Sequence, residues 1–275
     1  KLCLLCMRGN SKGVKNKNLK KINGVPLLKY TIDQAKKSKL FDKIVISSDS
    51  KKIIRMGKKF GVKEFILRPK KLATDKSAKL IVLKHALSEV EKIYSQKFDI
   101  IFDLDVTSPL RNINDIKQSY KLFQKKNASK LITATHARKN PFFNQVLIKN
   151  NDVQLVKKSK NVIVRRQSAP KIYDMNASIY IFKRQTLIRS EEIFPKNTII
   201  YLMPEERSVD IDNKLDFQIV EKKVFFPLVI VFYVFRSKSP FQISAITRTT
   251  RTPTTMVAFL PTLAMFYAVQ YRLVA

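Results

Sequence analysis

Residues 2–18 read LCLLCMRGNSKGVKNKN, an apolar run followed directly by a basic turn that contains two glycines. The apolar run at 2–7 is typical of a buried strand, and Gly9 and Gly13 let the backbone turn tightly after it. Backbone N–H groups presented by such a turn can bind an anion. Neither the Walker nor the Rossmann glycine motif is present. The stretch indicates a phosphate-binding loop after a first strand, with a basic surface loop as the alternative.

Strand-like and helix-like segments alternate from residue 1 to residue 223. This alternation predicts an α/β fold, a mostly parallel sheet with helices on both faces. In such sheets, ligands bind in the loops at the carboxyl ends of the strands. The predicted strands are 2–7, 44–47, 62–67, 100–104, 131–135, 177–182 and 199–203, and the predicted helices are 27–38, 51–60, 77–95, 113–124 and 213–223.

Two segments depart from this alternation. Between about 138 and 176, residues 145–149 and 153–156 flank Asn-Asn-Asp and predict a hairpin that leaves the main sheet. Residues 225–275 contain no Asp or Glu, and each of their apolar runs is shorter than the roughly 20 residues of a membrane span. For 224–275 three interpretations stay open: a membrane-associated tail, an extra packing element, or foreign sequence joined to a complete domain by a frameshift or truncation.

The composition limits the classes of function. Hydrophobic residues make up 45% of the 275, which is enough for a core, and two cysteines cannot make a disulfide framework. We expect Cys3 and Cys6 to be core thiols, and two histidines exclude a multi-histidine zinc site. Lys and Arg number 54 against 21 Asp and Glu, a net charge of +33. This charge indicates a polyanionic partner or a compositional bias toward Lys.

Acidic residues near the end of the predicted domain indicate a metal site. Asp210 and Asp212 are two apart, so in extended backbone their carboxylates share one side. Paired carboxylates suit Mg²⁺, which also takes phosphate oxygens; the alternative is that one aspartate caps the helix that follows. Two further segments carry polar residues where a site is expected, 103–111 after a buried strand and the Arg-rich 165–170.

Taken in order, these segments resemble the acylneuraminate cytidylyltransferases, the CMP-sialic acid synthetases and their relatives. The family motif A-R-x-x-S-K-G-x-x-x-K-N is matched at 7–18, with Met7 in place of Ala. Residues 67–75 match the family motif L-R-P-x-x-L-A-x-D, and residues 107–111 match T-S-P-L-R. Residues 166–181 follow R-Q-x-x-P…N-G-A-I-Y-I, and residues 208–217 fit S-[IV]-D-I-D-x-x-x-D-[FL]. Asp105 stands where many members carry Gln, and Ala177 replaces a Gly. Both lie where the sugar is expected to bind.

The resemblance implies a Rossmann-like nucleotidyltransferase domain at 1–223, a cytoplasmic Mg²⁺-dependent enzyme that transfers CMP from CTP to a nine-carbon acidic sugar. It further implies a homodimer in which the 138–176 excursion reaches the partner's site. The implied triphosphate residues are Arg8, Ser11, Lys12, Lys17 and Asn18; those at the cytosine are Arg68 and Ser77; the Mg²⁺ ligands are Asp210 and Asp212; those at the sugar are Asp105, Arg166, Tyr173 and Asn176. Lys17, Asp210 and Asp212 are the implied catalytic residues.

Three alternatives remain. A 3-deoxy-octulosonate cytidylyltransferase would carry Q-G-D-E-P where this chain has Thr-Ser-Pro at 107–109. A nucleic-acid-binding protein would account for the charge, but the sequence lacks aromatic platforms and a recognisable binding module, so no specific nucleic-acid partner is expected. The third alternative is an inactive homologue.

Overall fold

The computed structural model describes residues 1–224, apart from residues 12, 160–162 and 164. The described strands are β1 (Leu2–Cys6), β2 (Lys21–Ile22), β3 (Val25–Pro26), β4 (Lys43–Ser48), β5 (Glu64–Leu67), β6 (Ile100–Leu104), β7 (Lys130–His136), β8 (Val146–Lys149), β9 (Asp152–Leu155), β10 (Tyr173–Lys183) and β11 (Thr198–Leu202). The helices are α1 (Leu27–Ser38), α2 (Lys51–Lys59), α3 (Lys79–Tyr94), α4 (Ile113–Lys125), α5 (Arg184–Arg189) and α6 (214–224).

A seven-stranded sheet in the order β11-β7-β10-β6-β1-β4-β5 forms the centre of the fold. Its pairs are parallel except those of β10, which runs antiparallel to β6 and β7. The predicted α/β class with a mostly parallel sheet is therefore confirmed. Because Ile179 pairs with Leu104, the first residues of β10 lie at the carboxyl end of β6.

The core lies between the sheet and its helices. Leu83 and Leu87 of α3 pack in one buried cluster with Leu2 and Leu4 of β1. Helices also pack against each other: α1 contacts α2 and α4, and α3 contacts α5. Burial of these apolar side chains is the main stabilising contribution.

Local interactions fix the ends of two helices. Asn112 and Asp115 form a reciprocal capping box at α4, each side chain accepting the other's backbone N–H. Asn213 and Asp216 do the same at α6. Of the two residues predicted to cap the last helix, Asp212 and Asn213, the structure uses Asn213.

The predicted hairpin forms as β8 and β9, which pair only with each other among the described strands. The tail interpretations for 225–275 concern a segment outside the described residues. Backbone contacts divide the chain into two units, Lys1–Phe217 and Gln218–Ala275, and the site described below lies in the first. No helix in the described part is long and apolar enough to cross a membrane.

Candidate active site

A cavity of about 360 Å³ opens where β1, β5 and β6 end, at the edge of the sheet where a ligand is expected. Its walls combine the basic turn after β1, the segment after β5, and the first residues after β6. Of the predicted site residues, those on its walls are Arg8, Ser11, Lys17, Asn18, Arg68, Ser77, Asp105 and Asp212. Lys12 falls outside the described residues.

The basic turn is held in place by hydrogen bonds between its backbone groups and side chains, and by one ion pair. Asn18 donates its side-chain N–H to the carbonyl of Arg8 at 2.9 Å, and Gly9 donates its backbone N–H to Asp49 Oδ1 at 2.8 Å. The Arg8 guanidinium forms an ion pair with Asp75. One amide N–H of Asn18 therefore closes the turn, and the residue also lines the cavity.

The basic turn touches Asp212 although the two are about 200 positions apart. A Cβ on Gly13 would lie only 1.9 Å from the carbonyl oxygen of Asp212, so no side chain fits at residue 13. The Lys17 ammonium donates a hydrogen bond to the carbonyl of Ile211, and its Nζ lies 3.5 Å from Asp212 Oδ1. The Asp212 side chain keeps 78% of its exposure. The basic turn and the exposed carboxylate of Asp212 thus lie on one cavity.

Asp210, unlike Asp212, is not among the residues that line the cavity. Its Oδ1 is buried and has no hydrogen-bond partner among the described residues. Burial, with a smaller contribution from the Asp105 carboxylate, raises the pKa of Asp210 to about 6. The backbone beside it is fixed by the 2.9 Å hydrogen bond from Ile211 N–H to the Thr107 carbonyl. An unpartnered buried carboxylate oxygen of this kind suits a cation.

The structure shows two carboxylates, not a full metal cage. Within the described part of the chain, no three or more His, Cys, Asp or Glu side chains come together as a metal-binding cluster. A divalent cation held by Asp210 and Asp212 would therefore need phosphate oxygens and water to complete its shell. Mg²⁺ is typically bound in this way, by one or two carboxylates and substrate phosphates.

Arg68 and Ser77 lie on the wall of the cavity that follows β5. One nitrogen of the buried Arg68 guanidinium donates to the Met7 carbonyl, while its Nε has no partner among the described residues. Ser77 Oγ lies 2.9 Å from Thr74 Oγ1. This wall therefore offers the Ser77 hydroxyl, while the unpartnered Nε of Arg68 is itself buried.

Lys79, at the start of α3, was not predicted as a site residue but lines the cavity. Its ammonium lies 2.7 Å from Asp103 Oδ2 and 2.9 Å from Asp105 Oδ2, and 4.2 Å from the centre of the Tyr180 ring. In a chain so rich in lysine, nothing in the local sequence distinguishes this one. The fold alone brings it to the two aspartates.

The three remaining predicted sugar residues do not line the cavity of this single chain. Asn176 is buried, and its amide N–H groups contact Ser208 Oγ at 3.0 Å and Met203 Sδ at 3.4 Å. The Tyr173 ring lies 5.2 Å from that of His136, and exposed Arg166 donates to the carbonyl of Ala137.

Strand β10 is strained at the residue after Asn176. Ala177 has φ +48°, a left-handed conformation that costs a residue with a Cβ roughly 1–2 kcal/mol. It lies at the irregularity where the pairing of β10 with β7 shifts register. The Gly expected here in the family would adopt this conformation without strain.

Some motif residues serve the fold. The buried Arg111 guanidinium donates to the Ser178 carbonyl at 2.8 Å and to Thr31 Oγ1 at 2.7 Å, which ties the loop after β6 to β10 and α1. Burial lowers the pKa of Arg111 to about 10. Cys3 is a buried free thiol, as predicted, whereas the free thiol Cys6 is half-buried on the cavity wall.

The chain is similar to known proteins over most of its length. A family model described as Cytidylyltransferase matches residues 2–226. The chain is 50% identical over 220 residues to a CMP-N,N'-diacetyllegionaminic acid synthase of Campylobacter jejuni, covering 80% of this chain and 93% of the relative. It is 47% identical, with the same coverage, to post-translational flagellin modification protein B of Campylobacter coli.

A solved structure shares the fold. It is a CMP:2-keto-3-deoxy-manno-octonic acid synthetase complexed with CTP, which matches with a TM-score of 0.59 over 82% of this chain and 98% of the other. At 13% identity this likeness shows the fold alone.

Proposed function

The chain belongs to the cytidylyltransferase family, and we propose that it transfers CMP from CTP to the anomeric hydroxyl of a sialic-acid-like nine-carbon acidic sugar, with release of pyrophosphate. The observation that carries this proposal is the contact of the basic turn with Asp212 on one cavity. The relative named as a legionaminic acid synthase supports an acceptor of this class. The proposal places the enzyme in the cytoplasm.

The basic turn binds the triphosphate. Arg8, Ser11 and Lys17 line the cavity and supply charge-assisted or hydroxyl donors to phosphate oxygens. Lys12 is included by family resemblance, and Asn18 acts by closing the turn on Arg8. In-line displacement at the α-phosphorus needs this positioning and charge neutralisation more than covalent chemistry.

Asp210 and Asp212 are the residues that would hold Mg²⁺. The unpartnered Oδ1 of Asp210 and the exposed carboxylate of Asp212 fit such an ion. When bound, Mg²⁺ supplies neutralisation of phosphate charge and makes an adjacent hydroxyl more acidic. Lys17, beside Asp212, keeps that carboxylate turned toward the phosphates.

The two ends of the cavity take the base and the sugar. The Arg68 guanidinium and the Ser77 hydroxyl, both on the cavity wall, are the donors for the acceptor atoms at the edge of cytosine. Asp105 faces the sugar. Arg166, Tyr173 and Asn176 belong to the same proposal through a homodimer, in which the excursion of one subunit approaches the site of the other.

The hairpin β8–β9 is the dimer surface in this proposal. Its apolar side chains are exposed in the single chain, Ile148 at 76% and Val153 at 69%. Exposed apolar patches of this kind mark interaction sites.

The direct test is pyrophosphate release from CTP in the presence of Mg²⁺ and a panel of acidic sugars that includes N,N'-diacetyllegionaminic acid and 3-deoxy-octulosonate. We expect turnover with a nine-carbon sugar. Turnover with the octulosonate alone would contradict the acceptor class, and absence of turnover with every sugar would contradict the activity.

Two variants test the roles of the acid pair and the turn. Asp212→Ala should lower turnover at least about 10²-fold, since it deletes a metal ligand. Lys17→Ala should chiefly raise the KM for CTP. Asp33→Ala is the matched control, because Asp33 pairs with Lys29 on the surface of α1 and should leave turnover unchanged. An Asp212→Ala enzyme with normal turnover would remove Asp212 from the mechanism.

A further inference from the structure

Lys79 and Asp105 form an ion pair on the wall of the cavity, beside the places proposed for nucleotide and sugar. Their Nζ and Oδ2 atoms are 2.9 Å apart, and the side chains keep 38% and 22% of their exposure. The pair is therefore approachable from the cavity. Asp103, whose Oδ2 lies 2.7 Å from the same ammonium, is buried and keeps only 2% of its exposure.

Both members of the pair stay charged. Burial by itself would lower the pKa of Lys79, but the carboxylates of Asp103 and Asp105 raise it well above its ordinary value. Burial would likewise raise the pKa of Asp105, but Lys79 and the hydrogen bonds from Thr107 hold it below its ordinary value. Lys79 is thus a fixed donor and not a proton acceptor, and Asp105 is a fixed acceptor.

The hydrogen-bonding capacity of the pair is not exhausted. Asp105 Oδ1 accepts from the backbone N–H and the hydroxyl of Thr107 at 3.2 and 3.0 Å, and Oδ2 accepts from Lys79. A carboxylate has about four lone-pair sites, and an ammonium has three N–H donors. One acceptor site on Asp105 therefore remains. One N–H of Lys79 is not taken by a carboxylate, although the ammonium also lies 4.2 Å from the centre of the Tyr180 ring.

We propose that Lys79 and Asp105 together form a subsite for one neutral hydroxyl group, which donates to Asp105 and accepts from Lys79. A hydroxyl is the small group that carries a donor and an acceptor on one atom, as this pair requires. A substrate carboxylate would be repelled by Asp105, and an ammonium by Lys79. The inference rests on the proposed function, which supplies two hydroxyl sources: the acceptor sugar and the ribose of CTP.

The test compares Lys79→Gln, Asp105→Asn and the double variant with the wild type. Calorimetry gives the Kd for CTP and for CTP analogues that lack the 2′ or 3′ hydroxyl. Steady-state kinetics gives the KM for N,N'-diacetyllegionaminic acid. Lys92→Gln is the matched control, because Lys92 lies on the same helix and pairs with Glu89 on its exposed surface.

We expect each single variant to weaken binding of the hydroxyl-bearing ligand at least about tenfold, since the lost hydrogen bonds involve charged groups. The double variant should be no weaker than either single variant, because one hydroxyl contacts both residues. A ribose hydroxyl would show as a weaker CTP Kd and as lost discrimination against the deoxy analogue. A sugar hydroxyl would show as a raised sugar KM with an unchanged CTP Kd.

Two results would overturn the subsite: folded variants with unchanged Kd and KM, or effects that simply add in the double variant. If Lys79→Gln fails to fold because Asp103 loses its partner, Lys79→Gln with Asp103→Asn removes both charges and gives the same comparison. Failure of the proposed function looks different. The wild type would then release no pyrophosphate with any acidic sugar, whereas discrimination between CTP and its deoxy analogues is measured without turnover.

Discussion

Gly13 lies so close to Asp212 that only a hydrogen atom fits between the two residues. Its backbone is not in the left-handed region, so the glycine is required by the contact and not by its conformation. The spacing of the turn relative to the acid pair therefore depends on the absence of one methyl group.

Gly13→Ala should move the turn away from Asp212 and weaken CTP binding at least about tenfold, because misplaced phosphate donors lose their geometry. Gly24→Ala is the control: Gly24 has φ +79° but nothing within 4 Å of a new Cβ. It should cost about 1 kcal/mol of stability through strain and leave CTP binding unchanged. Calorimetry with CTP and urea unfolding separate the two effects. Unchanged CTP affinity in Gly13→Ala would show that the contact does not position the turn.

The Asp210 carboxyl gives the site a pH dependence with a defined sign. Burial and then the Asp105 charge raise its pKa to about 6. Below that pH the carboxyl is protonated and loses its affinity for a cation, so kcat/KM for CTP should fall as pH decreases through about 6.

Asp105→Asn tests the origin of this fall. Removing the neighbouring charge should lower the pKa of Asp210 and move the acidic limb of the kcat/KM profile to lower pH. The phosphate groups of CTP also titrate near this pH, but they do so equally with both enzymes, so the difference between the profiles belongs to the protein. An acidic limb that stays in place would exclude Asp105 as a cause.

At the scale of secondary structure elements, the register shift within β10 carries backbone strain next to the predicted sugar residues. Ala177 adopts φ +48° there, next to the buried Asn176. Most other non-glycine residues with positive φ in the described chain are asparagines, which tolerate that conformation better than alanine.

Ala177→Gly should raise the free energy of unfolding by up to about 1 kcal/mol, because relief of strain exceeds the extra entropy of an unfolded glycine. Ala137→Gly is the control, since Ala137 has no positive φ and its N–H is bonded to the Ile172 carbonyl. It should lower stability by about 0.5–1 kcal/mol. Urea unfolding curves measure both; a loss of stability in Ala177→Gly would contradict the strain.

The elements of the sheet could be predicted because apolar runs and helical spacing report burial directly. The orientation of β10 could not, since a strand has the same alternation in either direction. Helix α5 has only six residues, too few for a periodic pattern, and the β2–β3 hairpin has only two residues per strand.

The site, too, contains residues that could be predicted from the sequence and residues that could not. The turn, the Asp pair and the segment after β5 could be predicted as contiguous motifs, and the structure brings most of their residues to one cavity. Lys79 could not, because its role depends on a contact across the fold. The burial of Arg111 and Asn176 could not be predicted either. The sequence does not distinguish a polar motif residue that binds a ligand from one that bonds to the backbone.

At the scale of the whole molecule, the net charge of +33 and the exposed hairpin are the two features that bear on partners. A strongly basic protein attracts anionic substrates such as CTP over a distance, an effect that salt screens. The hairpin is apolar, so its association should be far less sensitive to salt.

Ile148→Asp should convert the proposed dimer to a monomer, because it places a charge in an apolar interface. Ile193→Asp is the control, at a residue of similar exposure outside the hairpin. Light scattering after size-exclusion chromatography gives the mass. The monomer should keep its affinity for CTP and lose turnover, since the sugar residues come from the partner in this proposal. A wild type that is monomeric at micromolar concentration would contradict it.

Because β10 runs in the reversed direction, the segment proposed to bind the sugar and the segments proposed to bind the nucleotide come from different parts of the chain. At this edge of the sheet, each parallel strand is continued by the loop that follows it. Because β10 runs in the opposite direction, the segment that precedes it, the excursion, lies at this edge instead. The turn after β1 and the acid pair reach the same edge by other routes. Evolution can therefore lengthen or rewrite the excursion to change the acceptor while leaving nucleotide recognition untouched.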